Sequence, residues 1–231
     1  MLRHHTIDSY QFGFALNLTA SQLRPLTSRL QDSPSTDMTI LGGRTAVTPV
    51  RMEGIGAVVI KHYRRGGLLR HFIKNRYLKS GKTRARREFE LLAAVGQFGI
   101  NVPQPIAFVQ RGTLFYRAWL ITREIEKPQS LADLSMQDGK TASRAMGSVV
   151  DQVAGLIQHQ ILHVDLHPGN VIVDAAGTVF LLDFDKGKVY HGSRQNLKNR
   201  YLNRWQRAVN KHGLPKFLIE MMQNGLKRTY R

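Results

Sequence analysis

The chain has 231 residues, which is enough for one compact unit or two small lobes with a buried core. It contains no cysteine, so disulfide bridges, thiolate nucleophiles and cysteine-based zinc sites are excluded. Its 34 lysines and arginines against 16 acidic residues give a net charge of +18, which indicates a polyanionic partner such as an anionic membrane surface or a nucleic acid.

Residues 1–38 are predicted to form a loosely organised extension, which ends in turn-forming residues. The first strand is predicted to follow this extension. β-Branched and aromatic residues are concentrated in four later segments. Strands are predicted there, near 39–50, 55–63, 105–111 and 113–124. Gly42 and Gly43 fit either an ordinary hairpin turn or a glycine-rich turn whose backbone N–H groups can approach phosphates.

The second predicted strand contains Lys61 near its end, and a lysine in that position is solvated in most proteins. A lysine that binds phosphate groups needs a carboxylate to orient it. In the helix predicted for about 82–98, apolar residues recur at helical spacing, namely Ala85, Leu92 and Val95. Glu88 falls on this inward stripe and is the predicted partner of Lys61, whereas Glu90 is rotated off the stripe and is the alternative.

The second half of the chain is predicted to be mainly helical around one hairpin. Ser130 is predicted to be the N-cap of a short helix. A long buried helical stripe follows, at Met146, Val149, Val150, Val153, Leu156 and Ile157. The β-rich runs at 171–174 and 178–182 are joined by Ala-Ala-Gly, and a hairpin there would bring Asn170 and Asp183 to the same end.

Three residues around this hairpin have the chemical types that phosphoryl transfer from ATP requires. Asp165 is a carboxylate that can orient the acceptor hydroxyl, and Asn170 and Asp183 are oxygen ligands that can hold Mg²⁺ against the triphosphate. Their spacing resembles that of the catalytic loop and metal-binding aspartate of the protein-kinase superfamily. Asp185 replaces the glycine of that pattern, and it could add a metal or acceptor contact or form a local ion pair.

The resemblance to protein kinases implies an α+β, two-lobed fold. A small β-rich N-lobe is expected at 39–125 and a reduced helical C-lobe at 126–231. It also implies that Lys61 contacts the α- and β-phosphates of ATP. The residues expected to bind ATP are therefore Lys61, Glu88, Gly42 and Gly43.

The residues after Asp185 predict the class of acceptor. No Ala-Pro-Glu motif and no activation segment can be identified among residues 186–231. Val164 also stands where an arginine would bind an activation-loop phosphate, so switching by phosphorylation of that loop is not expected. The segment Leu-His-Pro-Gly at 166–169 is similar to kinases of small molecules, and a sugar or lipid headgroup is the expected acceptor.

Basic residues are concentrated in two segments of the chain. Residues 61–87 contain eleven lysines and arginines and no acidic residue, and residues 186–231 contain twelve with one acidic residue. Over 197–209 the apolar residues fall on one helical face, with these basic residues elsewhere: Lys198, Arg200, Arg204 and Arg207. This pattern is typical of an amphipathic helix at an anionic membrane surface.

Packing of the same apolar face on the protein is the alternative, which would place Trp205 in the core and leave the arginines facing anionic lipid. No recognised motif for reading DNA or RNA is visible, so nucleic acid is not an expected partner. No segment approaches the about 18–20 apolar residues that a membrane-spanning helix requires.

Three segments resemble the lipopolysaccharide kinase family over about residues 40–210: His-Tyr-Arg-Arg-Gly-Gly-Leu at 62–68, Lys-Asn-Arg-Tyr-Leu at 74–78, and Asp-Phe-Asp-Lys-Gly at 183–187. The resemblance implies transfer of the γ-phosphoryl group of ATP to the 4-hydroxyl of a 3-deoxy-D-manno-octulosonic acid (Kdo) residue on a lipid A precursor. It places the protein peripherally at the cytoplasmic face of the bacterial inner membrane, with Mg²⁺ as cofactor.

Arg64 and Arg65 lie in the most specific of these segments. They are predicted to bind the phosphate and carboxylate groups of the acceptor, since guanidinium groups can bind such anions bidentately. Two alternatives remain. One is a kinase for another sugar, such as a lipopolysaccharide heptose, which would share every catalytic residue. The other is an inactive kinase-like module that binds ATP or membrane, and the intact set of catalytic residues argues against it.

Overall fold

The computed structural model describes residues 2–31, 36–40, 43–63, 77–78 and 81–229. Contacts divide the chain into two compact units, one comprising residues 1–93 and 104–124 and the other residues 94–103 and 125–231. The first unit is built on a β-sheet and the second is mainly helical. The prediction of an α+β, two-lobed kinase-like fold is confirmed.

The first unit contains an antiparallel sheet in the order β1-β2-β7-β8-β5-β4-β3, and β6 pairs with β8. The strands are β1 (Arg3–Ile7), β2 (Tyr10–Phe14), β3 (Thr36–Ile40), β4 (Gly43–Met52), β5 (Gly56–His62), β6 (Tyr77–Leu78), β7 (Pro105–Arg111) and β8 (Phe115–Arg123). The helices are α1 (Ala20–Gln31) and α2 (Arg84–Gln97), whose last residues continue into the second unit.

The prediction that residues 1–38 form a loosely organised extension is wrong, because β1, β2, α1 and the start of β3 lie within this range. Strand β2 joins the main sheet by pairing with β7. Aromatic and leucine side chains of β2 and α1 enter one buried cluster, namely Tyr10, Phe12, Phe14, Leu23, Leu26 and Leu30. Their burial anchors the segment to the sheet.

The strand predicted over 39–50 is observed as two antiparallel strands, β3 and β4. Ile40 is paired with Gly43, which begins β4. The other predicted glycine, Gly42, lies outside the described residues. The reversal between β3 and β4 agrees with the hairpin alternative given for the two glycines, whereas a single strand over 39–50 is wrong.

Strand β7 is covered by side chains on both faces, which explains its continuous apolar run. Phe108 makes an edge-to-face contact with Phe89 of α2, with ring centroids 5.4 Å apart. Val109 is buried in the same cluster as Phe12, its register partner on β2. A Cβ atom at Gly13 would lie 2.1 Å from the Phe108 ring, so only glycine fits beside it. These contacts place α2 on the sheet.

Over its described residues, the second unit contains four α-helices and two small antiparallel sheets. Its strands are β9 (Gln129–Ser130), β10 (Ile161–Leu162), β11 (Val171–Val173), β12 (Val179–Leu181) and β13 (Lys188–Val189). Its helices are α3 (Leu131–Gln137), α4 (Gly139–Gln158), α5 (Arg194–Lys211) and α6 (Phe217–Thr229). The sheets are β12-β11-β9 and β10-β13.

The local predictions for this unit agree with the structure. The Ser130 side chain caps α3 by accepting a hydrogen bond from the Asp133 N–H at 3.0 Å. All six residues of the predicted stripe on α4 are buried. The predicted hairpin is formed by β11 and β12, and Asp174 Oδ1 closes its turn by accepting hydrogen bonds from the N–H groups of Ala176 and Thr178.

Helix α5 packs its apolar face on the protein. Leu197, Tyr201, Trp205 and Val209 are buried, and the Trp205 indole donates a hydrogen bond to the Leu218 carbonyl of α6 at 3.0 Å. The alternative in which this face packs on the protein is therefore confirmed. No described helix combines the length and apolar character needed to cross a membrane.

Candidate active site

The first unit contains one group of candidate residues, an ion pair between strand β5 and helix α2. Lys61 Nζ lies 2.9 Å from Glu88 Oε1 and 3.0 Å from Glu88 Oε2. The Tyr63 hydroxyl donates another hydrogen bond to Glu88 Oε2. Only 3% of the Glu88 side chain is exposed, and a buried carboxylate needs cations and donors to replace its lost water. These contacts fix the position of the lysine ammonium group.

The pairing predicted for Lys61 is confirmed, and Glu90 has different partners. Glu90 accepts hydrogen bonds from Lys82 Nζ at 2.7 Å and from Arg86 Nε at 3.0 Å. Burial acts to raise the pKa of Glu90, but these two cations and their hydrogen bonds lower it below its usual value. Helical geometry explains the difference, because residues two positions apart point to different sides of a helix.

The second unit contains the other group of candidate residues. It begins in the loop between β10 and β11, which ends in a 3₁₀ turn over Pro168–Asn170. Asn170 is 5% exposed, and its Nδ2 donates a hydrogen bond to the Asp165 backbone carbonyl at 2.9 Å. The Asn170 N–H donates to the His167 carbonyl at 2.8 Å. The loop is thus fixed through its backbone, while the Asp165 side chain remains 46% exposed.

The hairpin brings Asn170 and Asp183 to the same end, as predicted. Val171 is paired with Leu181, and the Leu182 N–H donates a hydrogen bond to the Asn170 carbonyl at 2.8 Å. Asp183 follows with a φ of 62°, in the left-handed region that few non-glycine residues adopt. Such backbone conformations are concentrated at functional sites, where the surrounding structure maintains them.

The donor chemistry of Asn170 and Asp183 fits a hard divalent cation. Asn170 uses its amide N–H in the loop, so its Oδ1 is the atom suited to a cation. Within the described residues, no group of three or more His, Asp or Glu side chains could hold a metal ion. A site with one carboxylate and one amide oxygen suits Mg²⁺, which takes its other ligands from substrate phosphates and water.

A buried histidine connects the residues that precede Asp165 and Asp183. His163 Nε2 lies 2.7 Å from the Leu182 carbonyl, and its ring contacts the fully buried Phe184 ring at a centroid distance of 4.5 Å. Burial lowers the pKa of His163, so the ring is neutral and Nε2 is the donor to this carbonyl. His163 therefore links the loop between β10 and β11 to the segment that carries Asp183.

Tyr201 of α5 supports the start of the same loop. Its hydroxyl accepts a hydrogen bond from the His163 N–H at 2.9 Å and donates one to the Ile161 carbonyl at 2.7 Å. Burial raises the pKa of this hydroxyl above its usual value, so it remains a donor across the physiological pH range. Helix α5 therefore supports the start of the loop between β10 and β11.

His167 carries no charge near neutral pH. Burial lowers the pKa of this imidazole to about 4, and the nearby Arg204 charge acts in the same direction. His167 Nδ1 accepts a hydrogen bond from the Gly169 N–H at 3.1 Å, so the proton of the neutral ring is on Nε2. The positive charge beside Asp165 must come from another residue.

That charge is supplied by Arg204 of α5. Arg204 Nε donates a hydrogen bond to Asp165 Oδ1 at 3.0 Å, and a terminal guanidinium nitrogen donates to the same oxygen. Burial acts to raise the pKa of Asp165, but the hydrogen bond and charge of Arg204 lower it below its usual value. The carboxylate is thus ionised and oriented before any substrate binds.

The prediction that the three arginines of α5 face anionic lipid is wrong for Arg204. Arg204 contacts Asp165, and Lys198 is only 8% exposed. Arg200 lies over the Tyr190 ring at 5.8 Å, and Arg207 is exposed. The error arose because a helix flank next to a buried stripe can be covered by a distant loop, which the helical period alone does not reveal.

Sequence reasoning missed Arg204, Tyr201 and the supporting role of His163. Arg204 lies 39 positions from Asp165, and no local pattern signals a contact across that separation. His163 lies two residues before Asp165, and the spacing of Asp165, Asn170 and Asp183 gives no information on its contacts. Of the predicted acceptor-binding residues, Arg64 and Arg65 lie outside the described residues, as does the predicted ATP-binding residue Gly42.

Comparisons with known proteins show which proteins this chain is similar to. Residues 39–225 match the model of the lipopolysaccharide kinase (Kdo/WaaP) family. A 3-deoxy-D-manno-octulosonic acid kinase of Vibrio vulnificus is 33% identical over 172 residues, which cover 73% of this chain and 71% of that protein. Proteins of the same name from Photobacterium profundum and Stenotrophomonas maltophilia are 34% and 36% identical. Those two matches cover 62% and 58% of this chain, and 61% and 54% of the respective relatives.

Proposed function

Because this chain belongs to the lipopolysaccharide kinase (Kdo/WaaP) family, we propose that it is a 3-deoxy-D-manno-octulosonic acid kinase. The enzyme transfers the γ-phosphoryl group of ATP to the 4-hydroxyl of a Kdo residue on a lipid A precursor. One observation carries the assignment of the chemistry. The β11–β12 hairpin joins Asn170 and Asp183 at one end, and the Asn170 amide also holds the loop that presents Asp165.

In the proposed mechanism, Lys61 binds the α- and β-phosphates of ATP. Glu88 orients its ammonium group and offsets part of its charge, so the group enters the complex already positioned. Gly42 and Gly43 provide backbone N–H groups above the phosphates, since glycine allows close approach. The order of elements along the chain supports these roles. The reversal between β3 and β4 comes first, and the strand of Lys61 and the helix of Glu88 follow it.

Asn170 and Asp183 are the residues proposed to hold Mg²⁺. When bound, the ion neutralises charge on the phosphate oxygens and favours transfer of the terminal phosphoryl group. The Leu182 N–H and His163 fix the backbone on either side of these ligands. The backbone at both proposed ligands is therefore held in place before nucleotide binds.

Asp165 is proposed to orient the acceptor hydroxyl and to receive its proton. Phosphoryl transfer has a loose transition state, so orientation of the nucleophile matters more than strong basicity. Arg204 supports this role, since it keeps Asp165 ionised and holds one carboxylate oxygen, leaving the other for the acceptor. We assign Arg204 as a positioning residue on this basis.

A direct test of the function uses mass spectrometry. Kdo-bearing lipid A precursor incubated with the protein and Mg-ATP should gain the mass of one phosphate. Fragmentation or NMR should place this phosphate on the 4-position of the Kdo residue. Transfer to a heptose-bearing acceptor, with none to the Kdo acceptor, would instead support a heptose kinase. Absence of transfer to either acceptor would contradict the proposed activity.

Replacement of Glu88 by glutamine tests the proposed role of the Lys61–Glu88 pair in ATP binding. Loss of a charge-assisted hydrogen bond costs about 1.5–3 kcal/mol, so the KM for ATP should rise about tenfold or more. Glu90→Gln is the matched control, because it removes another carboxylate from the same helix. The Glu90 carboxylate pairs with Lys82 and Arg86. Equal KM values for ATP in the two variants would remove Glu88 from its role. A thermal melt of each variant reports whether the fold survives.

The protein is also proposed to bind peripherally to the cytoplasmic face of the inner membrane, where its acceptor lies. Arg64 and Arg65 are proposed to bind acceptor anions, as the family resemblance implies. The charge distribution supports contact with anionic lipid, because residues 186–231 contain twelve basic residues and one acidic residue. Arg207 and Lys211 are exposed on α5 and are the candidate contacts.

Vesicle binding tests this surface. Each basic residue near an anionic surface contributes about 1 kcal/mol, so the double variant Arg207→Glu and Lys211→Glu should bind anionic vesicles at least about tenfold more weakly. Its matched control is Lys140→Glu with Arg144→Glu, an exposed pair with the same spacing on α4. Wild-type binding should fall with added salt, since charges are screened beyond about 8–10 Å. Equal binding by the two double variants would show that α5 is not the docking surface.

A further inference from the structure

A basic hollow on the protein surface lies beside the start of the loop between β10 and β11, and the proposed mechanism does not use it. Its volume is about 520 Å³, and it lies among β10, the β13 segment with the loop after it, and α5. Leu162 at its wall is three residues before Asp165 in the chain. On α5, Arg200 at its wall is four residues before Arg204, the residue that contacts Asp165. Residues four apart share a helix face, so Arg200 lies on the same side of α5 as Arg204, one turn away from it.

The side chains around the hollow suit a negatively charged sugar. Lys188, His191 and Arg200 contribute positive or ionisable groups, and none of the described residues that line it is acidic. Arg200 lies over the Tyr190 ring, 5.8 Å from the guanidinium carbon to the ring centroid. A guanidinium can bind a carboxylate or phosphate through two donors. The tyrosine ring adds an apolar face against which sugar C–H groups can pack.

The wall of the hollow is held in place by the protein. The Tyr190 N–H donates a hydrogen bond to the Gln160 carbonyl at 2.7 Å. The Gln160 side chain donates in return to the carbonyls of Tyr190, at 3.3 Å, and Gly192, at 3.1 Å. A Cβ atom on Gly192 would lie 2.6 Å from the Tyr190 ring, so glycine is required for the ring to occupy this position. The basic and aromatic groups are therefore presented by a fixed loop.

We propose that this hollow binds the acid group of the acceptor, a carboxylate or phosphate carried by its sugar portion, and so sets the acceptor hydroxyl against Asp165. The proposal rests on the proposed kinase function. Lys188 and Arg200 bind the anion, and the Tyr190 ring orients the attached sugar. These residues are additional to the predicted acceptor-binding pair Arg64 and Arg65, and an acceptor with several anionic groups can use both sets.

Steady-state kinetics with Kdo-bearing lipid A precursor tests the assignment. Arg200→Met and Lys188→Met should each raise the KM for the acceptor about tenfold, while the KM for ATP stays within about twofold of the wild-type value. Arg144→Met is the control, because it removes an exposed arginine of α4 that lies outside the hollow. Arg200→Lys should restore part of the acceptor affinity, since it retains the charge without the bidentate geometry.

The outcomes separate this inference from the function on which it rests. If wild-type protein transfers phosphate but both methionine variants keep a normal acceptor KM, the inference is overturned and the proposed function stands. If wild-type protein transfers no phosphate, the proposed function fails and the inference fails with it. Should Arg200→Met not fold, Lys188→Met on the exposed β13 strand decides the question alone.

A second acceptor preparation identifies which acid group occupies the hollow. Removal of the lipid A phosphates leaves the Kdo carboxylate as the anionic group. If the KM difference between wild type and Arg200→Met persists with this acceptor, the carboxylate is the ligand. If the difference disappears, a lipid A phosphate is the ligand. Both results support an anion site, whereas a normal KM for both variants with the complete acceptor overturns it.

Discussion

Replacement of Asp165 by asparagine should lower kcat for phosphoryl transfer by about 10²–10⁴-fold, the range for loss of a positioned acid–base group. Asparagine is nearly isosteric and leaves the Asp165 backbone carbonyl in place for Asn170. It removes the negative charge that Arg204 orients and the oxygen that would receive the proton. The affinity for Mg-ATP should stay close to the wild-type value, because Lys61 and the metal ligands are unchanged.

Isothermal titration calorimetry with Mg-ATP and initial-rate measurements with the lipid acceptor separate these effects. Asp151→Asn is the matched control, since it changes an exposed aspartate of α4 and should leave both quantities unchanged. Near-normal turnover by Asp165→Asn would remove Asp165 from its proposed role. A loss of ATP binding would instead indicate that the substitution disturbs the neighbouring metal ligands.

The parts of the site that follow local periodicity were predictable from the sequence. Glu88 was selected over Glu90 because it shares the apolar stripe of α2, and the structure pairs it with Lys61. The hairpin that joins Asn170 and Asp183 was predicted from two short β-rich runs and the turn between them. In each case the relevant contact is determined by the geometry of one or two adjacent elements.

The N-terminal segment was not predictable in the same way. Strand β1 has four exposed residues and only Ile7 buried, so it lacks an alternating apolar pattern. Helix α1 contains Pro25, which argues against a helix in a sequence-based interpretation. Both elements are stabilised by packing on the sheet, through partners such as Val109 and Ile121 that lie far away in the chain. Local signals were therefore overruled by tertiary contacts.

Helix α5 shows the same limit within the site. Its period correctly predicted that Trp205 could be buried, yet the position of Arg204 depends on which loop covers the helix flank. One signal could have indicated that a distant cation contacts Asp165. The loop around Asp165 contains no lysine or arginine, and Val164 and the neutral His167 lie on either side of this residue. An ionised carboxylate beside Asp183 needs a positive charge nearby, and that charge can come from any element.

Replacement of Arg204 by methionine should reduce kcat about 10–100-fold, less than the loss of Asp165 itself, because the carboxylate remains but is no longer oriented. The pH profile provides the sharper test. In the wild-type protein Arg204 lowers the pKa of Asp165, so the reactive carboxylate persists well into the acidic range. Without Arg204, burial and the charge of Asp183 both raise this pKa. The acidic limb of the kcat/KM profile should then move to higher pH.

Arg204→Lys separates charge from geometry in the same assay. Lysine keeps a positive charge near Asp165 but lacks the fork of the guanidinium, which in the wild-type protein donates from two nitrogens to Asp165 Oδ1. Its acidic limb should therefore lie between those of the wild-type and methionine proteins. In the wild-type protein burial lowers the pKa of His167 to about 4, so this imidazole carries no charge near neutral pH. Arg144→Met should show the wild-type profile, and an unshifted acidic limb in Arg204→Met would show that Arg204 contributes only to the packing of α5.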